Sequence, residues 1–263
     1  MSMSYEIYGP EKAPTIFFLH GGGISGWMWH NQVEALSPDY RCIVPDLPEH
    51  GKSINEGILS IADSAERIHK LIADTENGAP VHLVGHSIGA KIIAAYLAQH
   101  PDTAQTAVII SALFRPMPIL KLTMNRPAYR LTEKLLKNES VLNWQVKQFG
   151  FRDEQDREKL SEDFRLLNAD AMDHLYGELY RHLSIPDLSG VKTICLVVAG
   201  EKEPPAMRAS ASDLAAAIPH ARAVLFSGCR HDIPWKAADE LNITIREWIK
   251  QIPLSAPIVN ELR

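Results

Sequence analysis

The stretch Val81-His82-Leu83-Val84-Gly85-His86-Ser87-Ile88-Gly89-Ala90-Lys91-Ile92-Ile93-Ala94-Ala95-Tyr96-Leu97 decides how this chain is read. Val81 to Val84 is strand-like, and Ala90 to Leu97 is helix-like and largely apolar. Between them Ser87 has a glycine two places before it and another two places after. A serine forced into a tight strand-to-helix turn needs small neighbours, because its own backbone is strained and flanking β-carbons would strike the strand or the helix. In that context Ser87 reads as a nucleophile and not as an ordinary N-cap serine.

Working outward, further short β-rich runs occur at Thr15 to Leu19, Arg41 to Pro45, Thr106 to Ile110, Lys192 to Val198 and Ala223 to Phe226. Helical candidates lie at about Trp27 to Leu36, Ile61 to Thr75, Ser87 to His100, Ala206 to Ala217 and Lys236 to Gln251. Such alternation predicts an α/β fold, a mostly parallel twisted sheet flanked by helices, and the near-continuous apolarity of the runs fits strands buried on both faces. The spacing breaks between Thr106–Ile110 and Lys192–Val198, where the chain carries helical periodicity and no convincing strand. We therefore expect a core of residues 1–112 and 191–263 with a helical cap, 113–190, inserted in it. Met117, Leu120, Met124, Tyr129 and Trp144 are its candidates for enclosing a hydrophobic acyl or alcohol group.

Acyl transfer also needs donors for the developing oxyanion, and backbone N–H groups can supply them without moving. His20-Gly21-Gly22-Gly23, directly after the run Thr15 to Leu19, forms a suitable loop. The expected donors are the N–H groups of Gly22 and Ile88, with Gly23 a close alternative to Gly22. No Gly-Lys-Ser/Thr follows the glycines, so a phosphate loop is disfavoured. No His, Cys, Asp and Glu cluster has zinc-like spacing, and neither cofactor nor metal is expected.

With these motifs the sequence resembles the α/β-hydrolase superfamily. The resemblance extends to Pro45-Asp46-Leu47-Pro48-Glu49-His50-Gly51-Lys52-Ser53, similar to a loop that commonly reads Asp-x-x-Gly-His-Gly-x-Ser. Glu49 stands where that pattern has glycine, and the resemblance implies a structural loop, with Asp46 and His50 outside the catalysis. It also implies a triad in the chain order serine, acid, histidine, with the acid after the penultimate strand and the histidine after the last. In Gly200-Glu201-Lys202-Glu203 the family usually carries aspartate at the fourth position, so Glu203 is the expected acid, with Glu201 and Asp232 as alternatives. Ser227-Gly228-Cys229-Arg230-His231-Asp232 holds the only histidine beyond the last run, and His231 is the expected base.

The serine at the turn argues against the haloalkane dehalogenase and epoxide hydrolase branches, which resemble this fold but use aspartate there. A serine hydrolase acting on an ester-like bond through an acyl-enzyme is the main expectation. Enol-lactone, thioester or carbon-carbon bond hydrolysis are alternatives, and so is a slow-turnover receptor or regulator that keeps the scaffold.

Composition narrows the partners. A chain of 263 residues, 46% hydrophobic, can bury a full core and suits one catalytic domain with an insertion. Its net charge of -5 offers no basic footprint for nucleic acid. The first residues lack the basic start and apolar run of a signal peptide, and no apolar stretch approaches the ~20 residues of a membrane span. Three cysteines, an odd number without metal-like pairing, fit a reducing cytoplasm. The expected partner is a small-molecule acyl substrate, with no nucleic acid and no membrane; the oligomeric state stays open.

Overall fold

The β-rich runs pair as their alternation with helices requires. A computed structural model describes residues 3–118 and 124–262. The strands are β1 (Tyr5–Tyr8), β2 (Thr15–Leu19), β3 (Arg41–Pro45), β4 (Val81–His86), β5 (Thr106–Ile110), β6 (Ile194–Gly200), β7 (Ala221–Phe226) and β8 (Val259–Glu261). They form one sheet in the order β1-β3-β2-β4-β5-β6-β7-β8. The six inner strands run parallel, and β1 and β8 close the edges antiparallel. Neither edge strand was expected from the sequence. Every residue of β1 is exposed and β8 is three residues long, so neither carries the apolar run of a doubly buried strand.

The helices are α1 (His30–Leu36), α2 (Ile61–Asp74), α3 (Ile88–Gln99), α4 (Arg126–Leu136), α5 (Glu139–Gln148), α6 (Glu154–Leu166), α7 (Ala169–Arg181), α8 (Pro205–Ala217), α9 (Ile233–Lys236) and α10 (Ala238–Lys250). Alternate residues of each inner strand face opposite cores, as the two-residue side-chain period dictates. Phe17, Leu19, Leu83 and Ile109 pack with Ile68 of α2, Ile92 of α3 and Leu214 of α8. Ile16, Phe18, Val84 and Val108 pack with Trp29, Leu36 of α1 and Leu241 of α10. Each large side chain fully buried in this way contributes about 1.5–3 kcal/mol.

Helices α4 to α7 form the insertion between β5 and β6. Asn125, Asn138, Asp153 and Asn168 start them, each side chain accepting a first-turn N–H. The insertion joins both cores: Leu142, Val146 and Phe164 pack on the side of Trp29, and Leu175 and Leu188 on the side of Phe17. Polar contacts add to this. The Asp163 carboxylate accepts from Ser25 N at 2.8 Å and from Trp27 Nε1 at 2.7 Å. Trp235 Nε1 donates to Phe149 O at 2.8 Å, and His174 Nδ1 lies 2.8 Å from Glu49 Oε1.

Two expectations for the insertion need correction. Trp144 is 60% exposed and encloses nothing, because the buried side of α5 is taken by Leu142 and Val146. Tyr129 packs within the insertion itself, against Ala169 and Met172 and stacked on Tyr176. Leu120 lies outside the described residues.

Candidate active site

Ser87 sits at the tip of β4 with φ 56° and ψ -112°, in the left-handed region that a non-glycine residue reaches only at a cost. Its N–H donates to Ile110 O at 2.9 Å, so the turn is held by the neighbouring strand. The flanking glycines are a steric necessity. A β-carbon at Gly85 would stand 2.7 Å from Ile93 Cδ1, and one at Gly89 would stand 2.4 Å from Leu19 O. The turn leaves the half-buried serine ahead of α3, whose first-turn N–H groups and dipole favour negative charge.

Three strands further across the sheet, β7 leads into the loop that carries His231. His231 Nδ1 lies 2.6 Å from Glu203 Oε1, so Nδ1 donates its proton to the carboxylate. Glu203 is only 2% exposed, and its second oxygen accepts from Gly200 N at 2.8 Å and from Ser111 Oγ at 3.1 Å. Three donors thus hold one buried carboxylate in a single orientation. The two alternative acids face elsewhere: Glu201 accepts from Gly228 N at 2.8 Å, and Asp232 accepts from Arg230 N at 2.8 Å. His86 ties the two loops together, donating from Nε2 to His231 O at 3.1 Å with its ring 4.5 Å from that of His231. Burial holds His86 well below the usual imidazole range, so it stays neutral beside its neighbour.

The glycine loop after β2 lies against this turn. A β-carbon at Gly21 would stand 3.6 Å from Ser87 Cβ. The Gly23 N–H donates to His50 Nε2 at 2.9 Å and that of Gly21 to Met28 Sδ at 3.4 Å. Both are committed, whereas the Gly22 N–H has no acceptor among the described residues. Leu175 of α7 covers it: a β-carbon at Gly22 would stand 2.6 Å from either Leu175 methyl.

The alpha/beta hydrolase fold model matches residues 14–238. The chain belongs to that family. Among curated relatives of this α/β hydrolase is the (E)-2-((N-methylformamido)methylene)succinate hydrolase of Acinetobacter baylyi, 25% identical over 92% of each chain. Among solved structures, a thermophilic esterase from Thermogutta terrifontis superposes with a TM-score of 0.73 at 18% identity, covering 95% of this chain and 93% of its own. The enol-lactonase from Burkholderia xenovorans gives 0.71 at 22% identity, covering 94% and 96%.

In this α/β hydrolase the loop after β3 acts as a brace. The Asp46 carboxylate accepts from Gly26 N and Lys52 N, each at 2.8 Å. His50 donates from Nδ1 to Pro48 O at 2.9 Å, while His20 bonds Gly21 O at 2.7 Å and accepts from Leu47 N at 2.8 Å. Both rings are buried as neutral imidazoles, and burial pulls both pKa values down to about 4. Between pH 6.5 and about 4 the unfolded chain therefore binds protons that the folded one refuses, so stability falls as pH is lowered through that window. In His50→Gln the difference in Tm between pH 7 and pH 5 should shrink, with Tm at pH 7 lowered by loss of the Gly23 contact. An unchanged pH slope would exclude this role for His50.

Sequence reasoning overlooked Ser111 and the position of Leu175. Ser111 has φ 57° and is 2% exposed, but nothing in its local sequence marks a residue that meets Glu203, 92 positions away.

Proposed function

We propose that the chain is a serine hydrolase that cleaves an ester-like bond of a small acyl substrate. The observation that carries the reading is the short contact of His231 with a buried, triply held Glu203, on a loop joined through His86 to the strained turn of Ser87. His231 Nε2 takes the proton of Ser87 Oγ as Oγ bonds to the acyl carbon. The N–H groups of Gly22 and Ile88 hold the oxyanion, the second at the start of α3. Collapse breaks the bond to the leaving group, which departs with the proton from His231. Water, deprotonated by the same ring, then attacks the acyl-enzyme and frees the acid, while Glu203 keeps the imidazole in one tautomer.

A hydrolase among its curated relatives supports hydrolysis, and an esterase and an enol-lactonase share its fold. Residues 113–190 act as the cap, with Leu175 as its contact to the oxyanion loop. Three buried free thiols agree with a cytoplasmic setting. The test is reaction of purified protein with a fluorophosphonate, followed by peptide mapping and a screen of esters, lactones and thioesters. The adduct should fall on Ser87, with turnover of at least one ester. Label on another serine would remove the nucleophile; tight ligand binding without turnover would favour a receptor.

A further inference from the structure

Lys91 lies one turn beyond the Ser87 elbow, in a helix that is otherwise almost wholly apolar on its buried side, and it is 2% exposed. Its ammonium has three donors, and all three are used. Nζ donates to Leu113 O at 2.7 Å, to Leu179 O at 3.0 Å and to His182 O at 2.6 Å. Leu113 lies where the chain leaves β5 for the insertion, and Leu179 and His182 end α7, where it starts back towards β6. The Phe114 ring covers the ammonium at 4.8 Å.

A buried ammonium is costly, and an apolar residue at this core position would avoid the cost. The geometry shows what the charge supplies. Carbonyls of the last helical turn have no intrahelical partners and carry the negative end of the dipole, so a cation there binds them well. Burial lowers the Lys91 pKa to about 8, against the opposing pull of Glu178, so the ammonium persists at neutral pH. An apolar side chain would pack with α7 in many axial settings, whereas three directed bonds allow one.

That setting matters because α7 is the helix that reaches the oxyanion loop through Leu175. His174, one residue earlier, meets Glu49, and Glu178, one turn later, accepts from Ile61 N at 2.7 Å at the start of α2. We infer that Lys91 is a specificity-determining positioning residue: it pins both ends of the insertion to the nucleophile helix and so sets the height of Leu175 above Gly22. The inference rests on the serine hydrolase reading for the consequence it assigns to Leu175, and on geometry alone for the pin.

The test uses Lys91→Met, which keeps the stem and removes the donors, with Lys91→Gln as a second variant should Lys91→Met not fold. Relative kcat/KM for p-nitrophenyl octanoate and acetate should shift about tenfold, mostly in KM, while a small fluorophosphonate labels Ser87 within about threefold of the wild-type rate. Leu175→Ala should shift the same ratio, and the double variant should show no further shift, because Lys91 acts through Leu175. Deuterium uptake by residues 169–181 should rise while that of α3 stays constant. Equal losses on both esters, additive shifts or unaltered α7 uptake in a folded variant would overturn the assignment. If the wild type neither takes the probe nor turns over an ester, the hydrolase reading falls alone, and α7 uptake still decides the pin.

Discussion

Ser87→Ala is expected to fold as the wild type does and to lose ester turnover by a factor on the order of 10⁵ or more. The fold is preserved because alanine removes one oxygen from a half-buried residue, while Gly85, Gly89 and the bond from the residue 87 N–H to Ile110 O still shape the turn. The backbone strain at φ 56° is the same for alanine as for serine, so Tm should move little. The rate should fall because the proposed acyl-enzyme route disappears, leaving only what the proposed N–H donors and binding give to direct attack by water. Steady-state kinetics on an activated ester, with a thermal melt as control, checks this. A variant that kept even a hundredth of wild-type kcat would place the nucleophile elsewhere.

The second large effect concerns the acid. Glu203→Gln should lower kcat on the order of 10⁴-fold with KM nearly constant. The amide is close in size, and its oxygen can still accept from Gly200 N and Ser111 Oγ. Its NH₂ then faces His231 Nδ1, which favours the tautomer that puts the proton on Nε2 and leaves no acceptor there for the Ser87 hydroxyl. The imidazolium also loses its counter-charge. Glu201→Gln and Asp232→Asn should each cost less than about tenfold, because these carboxylates serve turn N–H groups at the rim of the site. Loss of activity in Asp232→Asn comparable to that in Glu203→Gln would reassign the acid.

The amino-acid sequence by itself determined the six inner strands and the Ser87 turn. Strands buried on both faces must be apolar throughout, so the six inner strands were legible as runs, and β2, β3 and β5 coincide with theirs. The Ser87 turn was legible because its steric demand falls on Gly85 and Gly89, two residues away on either side. The exposed edge strands β1 and β8 left no such trace, since β1 is exposed throughout and β8 spans only three residues. Only the tertiary structure separated Glu203 from Glu201 and Asp232, three carboxylates of like chemistry that differ in burial and in what they meet. It likewise distinguished Gly22 from Gly23, because the partner that occupies the Gly23 N–H, His50, comes from a loop 27 residues on. The same holds for Lys91 and Ser111, whose partners come from segments remote in sequence. Local sequence encodes what a residue can donate, accept or fit, and folding alone decides which distant group it meets and whether water is left between them.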